Sequence, residues 1–472
     1  MTPRQPAAAL LLAPIVLALA SAFPIAATAQ TSNDELLKEL RALKEKVAEL
    51  EKKLDTKPSS PASGERQWGM TPEQQTELNR ITMKTEALED STEANGFKML
   101  KVSGFMDPTV ISNRAQRSTG FRFLNNFASA DGNGEAYTYD NSYFGMLGLD
   151  LQKELEGGTR WRFTLVPHKS TGSNYNYPSI VHEASISVPL TDLQTRFWAG
   201  QLPDWSGYEY FFPNQNKFIT HNLLFDFAAP TYYTGVGLDI LRGKWQTKAV
   251  IGNMNISRYT ENRRTPVFSY RVDYSKGEFN GFGFAGQHGK VDSLVTGKAE
   301  RLNMLEVDGY FIRGDLTAQG QVAVGRQARS ASNGGEARWW GTSMLGAYKV
   351  TPRFEISGRL DYLNNQKNGG STLNAVASTD STGAVVGPDG ANGIGPGMSY
   401  DSASGTWAIA DINRGANRWA LALGANYLVN LNTTFKVELR FDHADQNVFW
   451  YVGDDTYRRG NTVFGSSVVV SF

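Results

Sequence analysis

The chain has 472 residues, with 47 basic and 47 acidic side chains, no cysteine and a mean hydropathy of −0.37. Balanced charge removes any global argument for a nucleic-acid partner, and the lack of cysteine excludes thiol catalysis, disulfides and cysteine-ligated metals. Past the N-terminus no run approaches the roughly 18 apolar residues of a membrane-spanning helix, a test that strands exposing alternate residues to lipid escape.

At the N-terminus, Arg4 and an apolar stretch over 7–22 precede Ala27-Thr28-Ala29, a small-x-small cleavage pattern. Residues 1–29 therefore read as a signal peptide, with an uncleaved anchor as the alternative. No cysteine follows the site, which excludes a lipoprotein. Over 30–56, Leu36, Leu40, Leu43, Val47, Leu50 and Leu54 alternate at spacings of four and three, the a/d pattern of a coiled coil. In a parallel arrangement Glu39 faces Lys44 and Lys46 faces Glu51. So short a coil is marginal alone and is expected to assemble only where larger bodies hold its copies together. A single solvated amphipathic helix is the other reading. Residues 57–95 supply a Pro- and Ser-rich linker and a second helix, opened by Thr71-Pro72-Glu73-Gln74.

From 96 to 472 the period becomes two. Sixteen strands are predicted, the first over 97–111, the second over 141–153 and the last over 461–472. In 354–362, Phe354, Ile356, Leu360 and Tyr362 oppose Glu355, Ser357, Arg359 and Asp361; in 435–442, Phe435, Val437, Leu439 and Phe441 oppose Lys436, Glu438, Arg440 and Asp442. Seven short turns, such as Arg242-Gly243 and Arg313-Gly314-Asp315, alternate with longer loops at 112–140, 170–178, 202–232, 255–265, 290–302, 327–338, 365–416 and 444–460. An even strand count with this alternation is what a transmembrane barrel requires. The predicted fold is all-β: a 16-stranded antiparallel transmembrane β-barrel behind an α-helical coiled-coil segment. A soluble multi-sheet secreted protein is the alternative. Sixteen strands leave an aqueous channel unless a loop closes it. The Gly- and Ser-rich loop 365–416 is expected to stay mobile outside.

The last strand sets Phe464, Ser466, Val468, Val470 and Phe472 on one face. It resembles the closing strand of a bacterial outer-membrane barrel, which implies that Phe472 is an insertion signal read by the barrel-assembly machinery. Sixteen strands, eight long loops and this terminal Phe resemble the porin superfamily of Gram-negative outer membranes. The segments Asp150–Arg162 and Ile180–Gly207 resemble an uncharacterised porin-like family of proteobacteria. The helix ahead of the barrel resembles that of a subset of trimeric channels. These resemblances imply a homotrimer in the outer membrane, among lipid and lipopolysaccharide, with a periplasmic N-terminal helix, passing small hydrophilic solutes by diffusion. In porins the third external loop bends inward, its acids facing basic groups on the wall. Here that loop is 202–232, and its order in the chain alone carries the assignment, because the porin loop motif is absent. Asp204, Trp205, Tyr208, Glu209 and Tyr210 become constriction candidates opposite the inward Arg160, Arg162, Arg196, Arg271, Arg359 and Arg440. The same arginines could instead pair with inward Asp150, Glu183, Asp273, Glu355, Asp361, Glu438 and Asp442 as structural ladders. The aromatic run 205–212 suggests a preference for sugars or aromatic acids.

An outer-membrane hydrolase is the competing class, and a mainly structural, tethering barrel a third. His168 with Ser170, and His443 with Asp442 and Asp445, are the groups a hydrolase could draw on, but no strand–turn–helix Ser motif supports it. His182 has outward parity. No His or carboxylate pair has ligand spacing, although Asp454-Asp455 and residues 131–135 look somewhat calcium-like. No enzyme, cofactor or metal is therefore expected.

Overall fold

The computed structural model describes residues 72–94, 96–123, 144–167, 180–255 and 266–472. The signal peptide and the heptads from Leu36 to Leu54 lie outside them. The chain divides into two units, 1–90 and 91–472. Helix α1, Pro72–Ala94, begins at the predicted Pro72, and Leu78 and Ile81 of its thin apolar stripe are exposed.

In the second unit the described residues form sixteen strands in one closed antiparallel sheet. These are β1 (Leu100–Met106 and Thr109–Asn113), β2 (Ser118–Arg122 and Leu147–Glu154), β3 (Arg160–Leu165), β4 (Val181–Asp192), β5 (Thr195–Pro203), β6 (Tyr232–Arg242), β7 (Trp245–Met254) and β8 (Val267–Ser275). The second half comprises β9 (Asn280–Asp292), β10 (Ala299–Arg313), β11 (Leu316–Gln327), β12 (Ala337–Thr351), β13 (Phe354–Asn364), β14 (Arg418–Asn430), β15 (Thr433–Ala444) and β16 (Gly460–Ser471). Each strand pairs with its chain neighbours, and β16 closes on β1, with Phe105 opposite Ser471 and Asn113 opposite Val463. Phe472 continues the seam by exchanging two 3.0 Å backbone hydrogen bonds with Gly104.

The sheet is polar inside and apolar outside. Arg359, Arg418, Glu438, Arg440 and Asp442 are buried, whereas Val236, Ile251, Leu305, Val324, Leu360 and Leu423 are exposed on the opposite face. A protein folded around a dry core would reverse this, so the exterior is built for hydrocarbon. Aromatic rows mark both ends of the band. Phe354 lies opposite Tyr427, and Tyr427 opposite Phe435, near the short turns. At the other end the rings of Trp340, Tyr362 and Trp419 follow one another at 5.1 and 5.2 Å. From Phe354 to Tyr362 at about 3.3 Å per residue, tilted about 40°, the rows stand roughly 20 Å apart. That is close to the hydrocarbon band of a barrel of this kind.

Two expectations about loops fail. The predicted first loop, 112–140, is not a connection between strand ends. The tip is the short turn after Asn113, with Arg117 in the left-handed region at φ +47°. Instead β2 is itself in two parts, broken between Arg122 and Leu147 opposite the ladder break at Asp107-Pro108. The halves of β2 meet where Gly145, at φ +65°, lies so close that a Cβ would stand 2.3 Å from the Arg122 carbonyl. The seventh loop is not a mobile external tail. It carries two small hairpins (378–387 and 398–409) and returns to the barrel mouth, where Leu373, Ala375 and Ile394 join the core.

If the outward face meets lipid, Leu360→Arg should cost about 2–4 kcal/mol in refolding into bilayers. Unchanged stability would place that face in water.

Candidate functional site

Residues 204–231, between β5 and β6, fold inside the barrel and are fastened to its wall along their length. At the entry, the Tyr233 hydroxyl donates to Asp204 at 2.5 Å. Arg271 donates to the Trp205 carbonyl at 2.7 Å, and its other nitrogens hold Asp273 and Asp308. Tyr208 shares a 2.6 Å hydrogen bond with Ser343 of β12, and Arg359 of β13 donates to Glu209 at 2.8 Å. Farther on, Lys217 pairs with Glu355 at 2.8 Å. The amides of Ile219 and Thr220 donate to the Glu438 carboxylate at 2.7 and 2.8 Å. Arg359 and Arg440 both donate to the His221 carbonyl, at 2.8 and 2.7 Å.

Apolar contacts finish the seating. Asn222 caps a one-turn helix, α2 (Leu223–Phe227), by accepting from the Leu224 and Phe225 amides at 2.9 Å. Leu223, Leu224 and Phe227 pack with Trp339, Leu363 and Ala420 of the wall and with Leu373 and Ala375 of the seventh loop. The Asn374 amide donates to the Phe227 carbonyl at 3.0 Å, so the seventh loop bears directly on the third. Across the barrel Phe211 stacks on His182 at 4.3 Å, and Phe212 lies 5.0 Å from Phe105. His182 is buried and inward, against its predicted parity. The register slips between Thr164 and Leu165, so His182 and Glu183 both turn in at a bulge.

Burial dominates the titration of the loop. It pushes the Glu209 carboxyl from 4.5 up to about 7, although Arg359 opposes the rise. Asp204 is likewise raised from 3.8 to about 6, against the donors on Ser206 and Tyr233. His221 is depressed from 6.5 to about 3, by burial first and by the cations Arg359 and Arg440 second.

The predicted basic residues divide into three groups. Arg271, Arg359 and Arg440 hold the loop. Arg162 pairs with Asp150 at 2.9 Å and Glu183 at 3.3 Å, on the wall of a cavity of about 500 Å³ left beside the loop toward the short turns. Arg160 and Arg196 are not at the loop: Arg160 pairs with Glu154, and Arg196 donates to Ser187 and the Gly158 carbonyl beside a short turn. Tyr210 is exposed, and its carbonyl takes the Asn216 side chain. Loop-holding residues outside the candidate set include Lys217, Asn222, Lys436 and Glu438. Asn222 was readable, as a capping residue directly before an apolar run.

Other expectations find no common site. His443 lies beside Trp419 on the outer face, while Asp442 turns inward to Arg418 and Arg440. His168 and Ser170 lie outside the described residues, as do 131–135. Among the described residues no three His, Asp or Glu side chains group as a metal site.

No curated protein matches the chain. Among solved structures it is similar to OmpT, an outer membrane protein of Vibrio cholerae, at 12% identity, 79% coverage of this chain, 99% of that one and a TM-score of 0.46. It is also similar to an anion-selective porin from Comamonas acidovorans (11% identity, 79% and 99% coverage, TM-score 0.45). A third is the outer membrane channel DcaP of Acinetobacter baumannii (10% identity, 79% and 97% coverage, TM-score 0.46). The model of a family described as Protein of unknown function (DUF3138) matches residues 56–472, and the chain belongs to that family.

Two predictions concern loop seating. Ala228→Cys would give a chain that has no other cysteine a thiol buried while the loop is seated. In that background Arg359→Ala breaks the buried ion pair with Glu209, strips the Thr220 carbonyl of its donor and leaves the His221 carbonyl to Arg440 alone. It should cost about 3 kcal/mol or more, raising the rate of thiol labelling by about two orders of magnitude. An unchanged rate would show that Arg359 does not hold the loop. The second concerns pH. Because Glu209 and Asp204 are raised, the seated loop holds protons that a released loop would lose, so their contribution fades as pH rises through about 6 to 7. The depressed His221 acts the other way, favouring release as pH falls below 6.5. In His221→Asn the carboxylates act alone, and labelling, divided at each pH by the rate for a fully exposed cysteine, should slow steadily from pH 7.5 to 5. A profile that rises toward acid would refute their role.

Proposed function

We propose that this member of the DUF3138 family is a porin of the Gram-negative outer membrane, passing small hydrophilic solutes by passive diffusion and selecting among them with its third loop. One observation carries the reading: a closed barrel, apolar outside and charged inside, with residues 204–231 fastened across its lumen by ion pairs. An apolar exterior is useless in water, and a charged interior is costly unless water or paired charge fills it. A loop tied to opposite walls pairs with much of that charge and narrows the aqueous route that is left.

In this reading the constriction is Asp204, Trp205, Tyr208 and Glu209 against Arg162, Arg271, Arg359 and Arg440. Short turns lie in the periplasm, where both ends of the barrel emerge and where the heptads from Leu36 to Leu54 would join three copies. Phe472 would serve as the signal for the barrel-assembly machinery, and lipid with lipopolysaccharide would surround the apolar band.

Purified protein should form ion-conducting channels in planar bilayers. Deleting residues 205–212 removes the Arg271 anchor on Trp205 and the Arg359–Glu209 ion pair together with the aromatic run, and single-channel conductance should rise several-fold. Equal conductance would take the loop out of the pore. Failure of folded protein to conduct at all would sink the channel.

A further inference from the structure

We infer that the cavity beside the third loop is a binding site for aromatic α-amino acids in their zwitterionic form. The inference deepens the channel reading, because it takes the lumen as the solute's route.

The starting point is Lys248 on β7. Its ammonium makes no hydrogen bond and has no carboxylate within 4.0 Å among the described residues. Its cross-strand neighbours are Asp239 on β6, beyond ion-pair distance and accepting from Gln246, and Arg271 on β8, a like charge already committed to Asp273, Asp308 and the Trp205 carbonyl. Lys248 is left over the ring of Trp198, 5.7 Å from its centroid, at the cavity wall. An ammonium held this way readily accepts a carboxylate.

Beside it is a complementary group. Asp273 gives one oxygen to Arg271 at 2.8 Å, and its side chain keeps 28% exposure. The register sets Asp273 opposite Gln246 and Lys248 opposite Arg271, so Asp273 and Lys248 are diagonal neighbours on the lumen face. Such neighbours stand roughly 7–8 Å apart. The two charged groups on one α-carbon can engage both.

The remaining charges on the cavity are satisfied. Arg162 holds Glu183, Arg359 holds Glu209, Arg271 holds Asp308, and Asp204 accepts from Tyr233 and Ser206. Three basic groups (Arg162, Lys248, Arg271) line the cavity against five acidic ones (Glu183, Asp204, Glu209, Asp273, Asp308), and with Arg359 behind Glu209 one carboxylate is in excess. A simple anion would meet net negative charge there, and a simple cation would leave Lys248 unused. A zwitterion meets neither penalty.

The walls set the side chain. The rings of Trp198 and Trp205 lie 5.9 Å apart at 29°, with Phe211 and Phe212 also on the lining. Flat indole faces favour an aromatic partner, and about 500 Å³ lies within the usual range of small-molecule sites.

The test is calorimetry on full-length detergent-folded protein with L-phenylalanine, 3-phenylpropionate, phenethylamine and L-alanine. L-Phenylalanine should bind at least tenfold tighter than each of the others. Lys248→Met and Asp273→Asn, both checked for heat-modifiable gel mobility, should each weaken it about tenfold or more, the effect of losing one charged hydrogen bond. The site is refuted if phenylpropionate or phenethylamine matches phenylalanine, if neither variant changes its affinity, or if nothing binds. Bilayer recordings separate the two readings. Conductance that L-phenylalanine does not block removes the site and leaves the channel. Binding without conductance removes the channel and leaves the site.

Discussion

Backbone hydrogen bonding is the constraint on which everything else rests. In hydrocarbon no water satisfies an unpaired amide or carbonyl, so a sheet can lie there only if it has no edge. The seam between β16 and β1 removes the edge, from Asn113 opposite Val463 down to the paired backbones of Gly104 and Phe472. Its one interruption is Asp107-Pro108, where proline has no amide to give. There the Asp107 amide turns to the Met146 carbonyl, the Pro108 carbonyl takes the Val468 amide, and the Asp107 side chain takes the hydroxyls of Thr109 and Ser467. The ladder breaks without leaving those groups orphaned.

Closure creates a lumen lined by alternate residues of every strand, and that face carries most of the charge. Buried charges are tolerable only when paired and hydrogen-bonded. The third loop meets much of that need on β12 to β15. Glu438 receives two loop amides and a loop hydroxyl, and Arg359 and Arg440 converge on consecutive loop carbonyls. Loop and wall therefore satisfy each other, and neither arrangement is sensible without the other. The opposed charges expected across open water are largely in contact.

The period-two pattern made the barrel legible. Each short turn lay where apolar and polar residues stopped alternating, and the inward sets around Arg359 and Arg440 follow from parity alone. Parity failed where the ladder slips. His182 reads as outward because counting cannot see the bulge that turns it in beside Glu183. The outer half of β2 is five residues, too short to show a period, so the break in mid-strand read as a terminal loop. Composition misled at the seventh loop. Small residues such as Ala375 look like a flexible tail, yet they are what fits in the closely packed space against α2. Arg196 was correctly inward but too near a short turn to meet the loop, because sequence parity gives the face and not the height.

The loop also makes the lumen unequal around its circumference. On β12 to β15 Glu355, Arg359, Lys436, Glu438 and Arg440 are bound to the third loop, and Asp361, Arg418 and Asp442 are paired among themselves or with these, so they contribute structure and little free field. On β3 to β8 the wall keeps groups with capacity to spare, Lys248 foremost among them, and the cavity lies on that side. A solute moving past the loop would therefore meet a sheltered wall of indole rings and incompletely paired charge, opposite a loop whose own charges are already engaged. In the proposed channel, selection would follow from that asymmetry more than from net charge. With 47 acidic and 47 basic residues the chain has no overall bias to impose, and in such a channel the few groups that the loop leaves unmatched would be the ones to distinguish one solute from another.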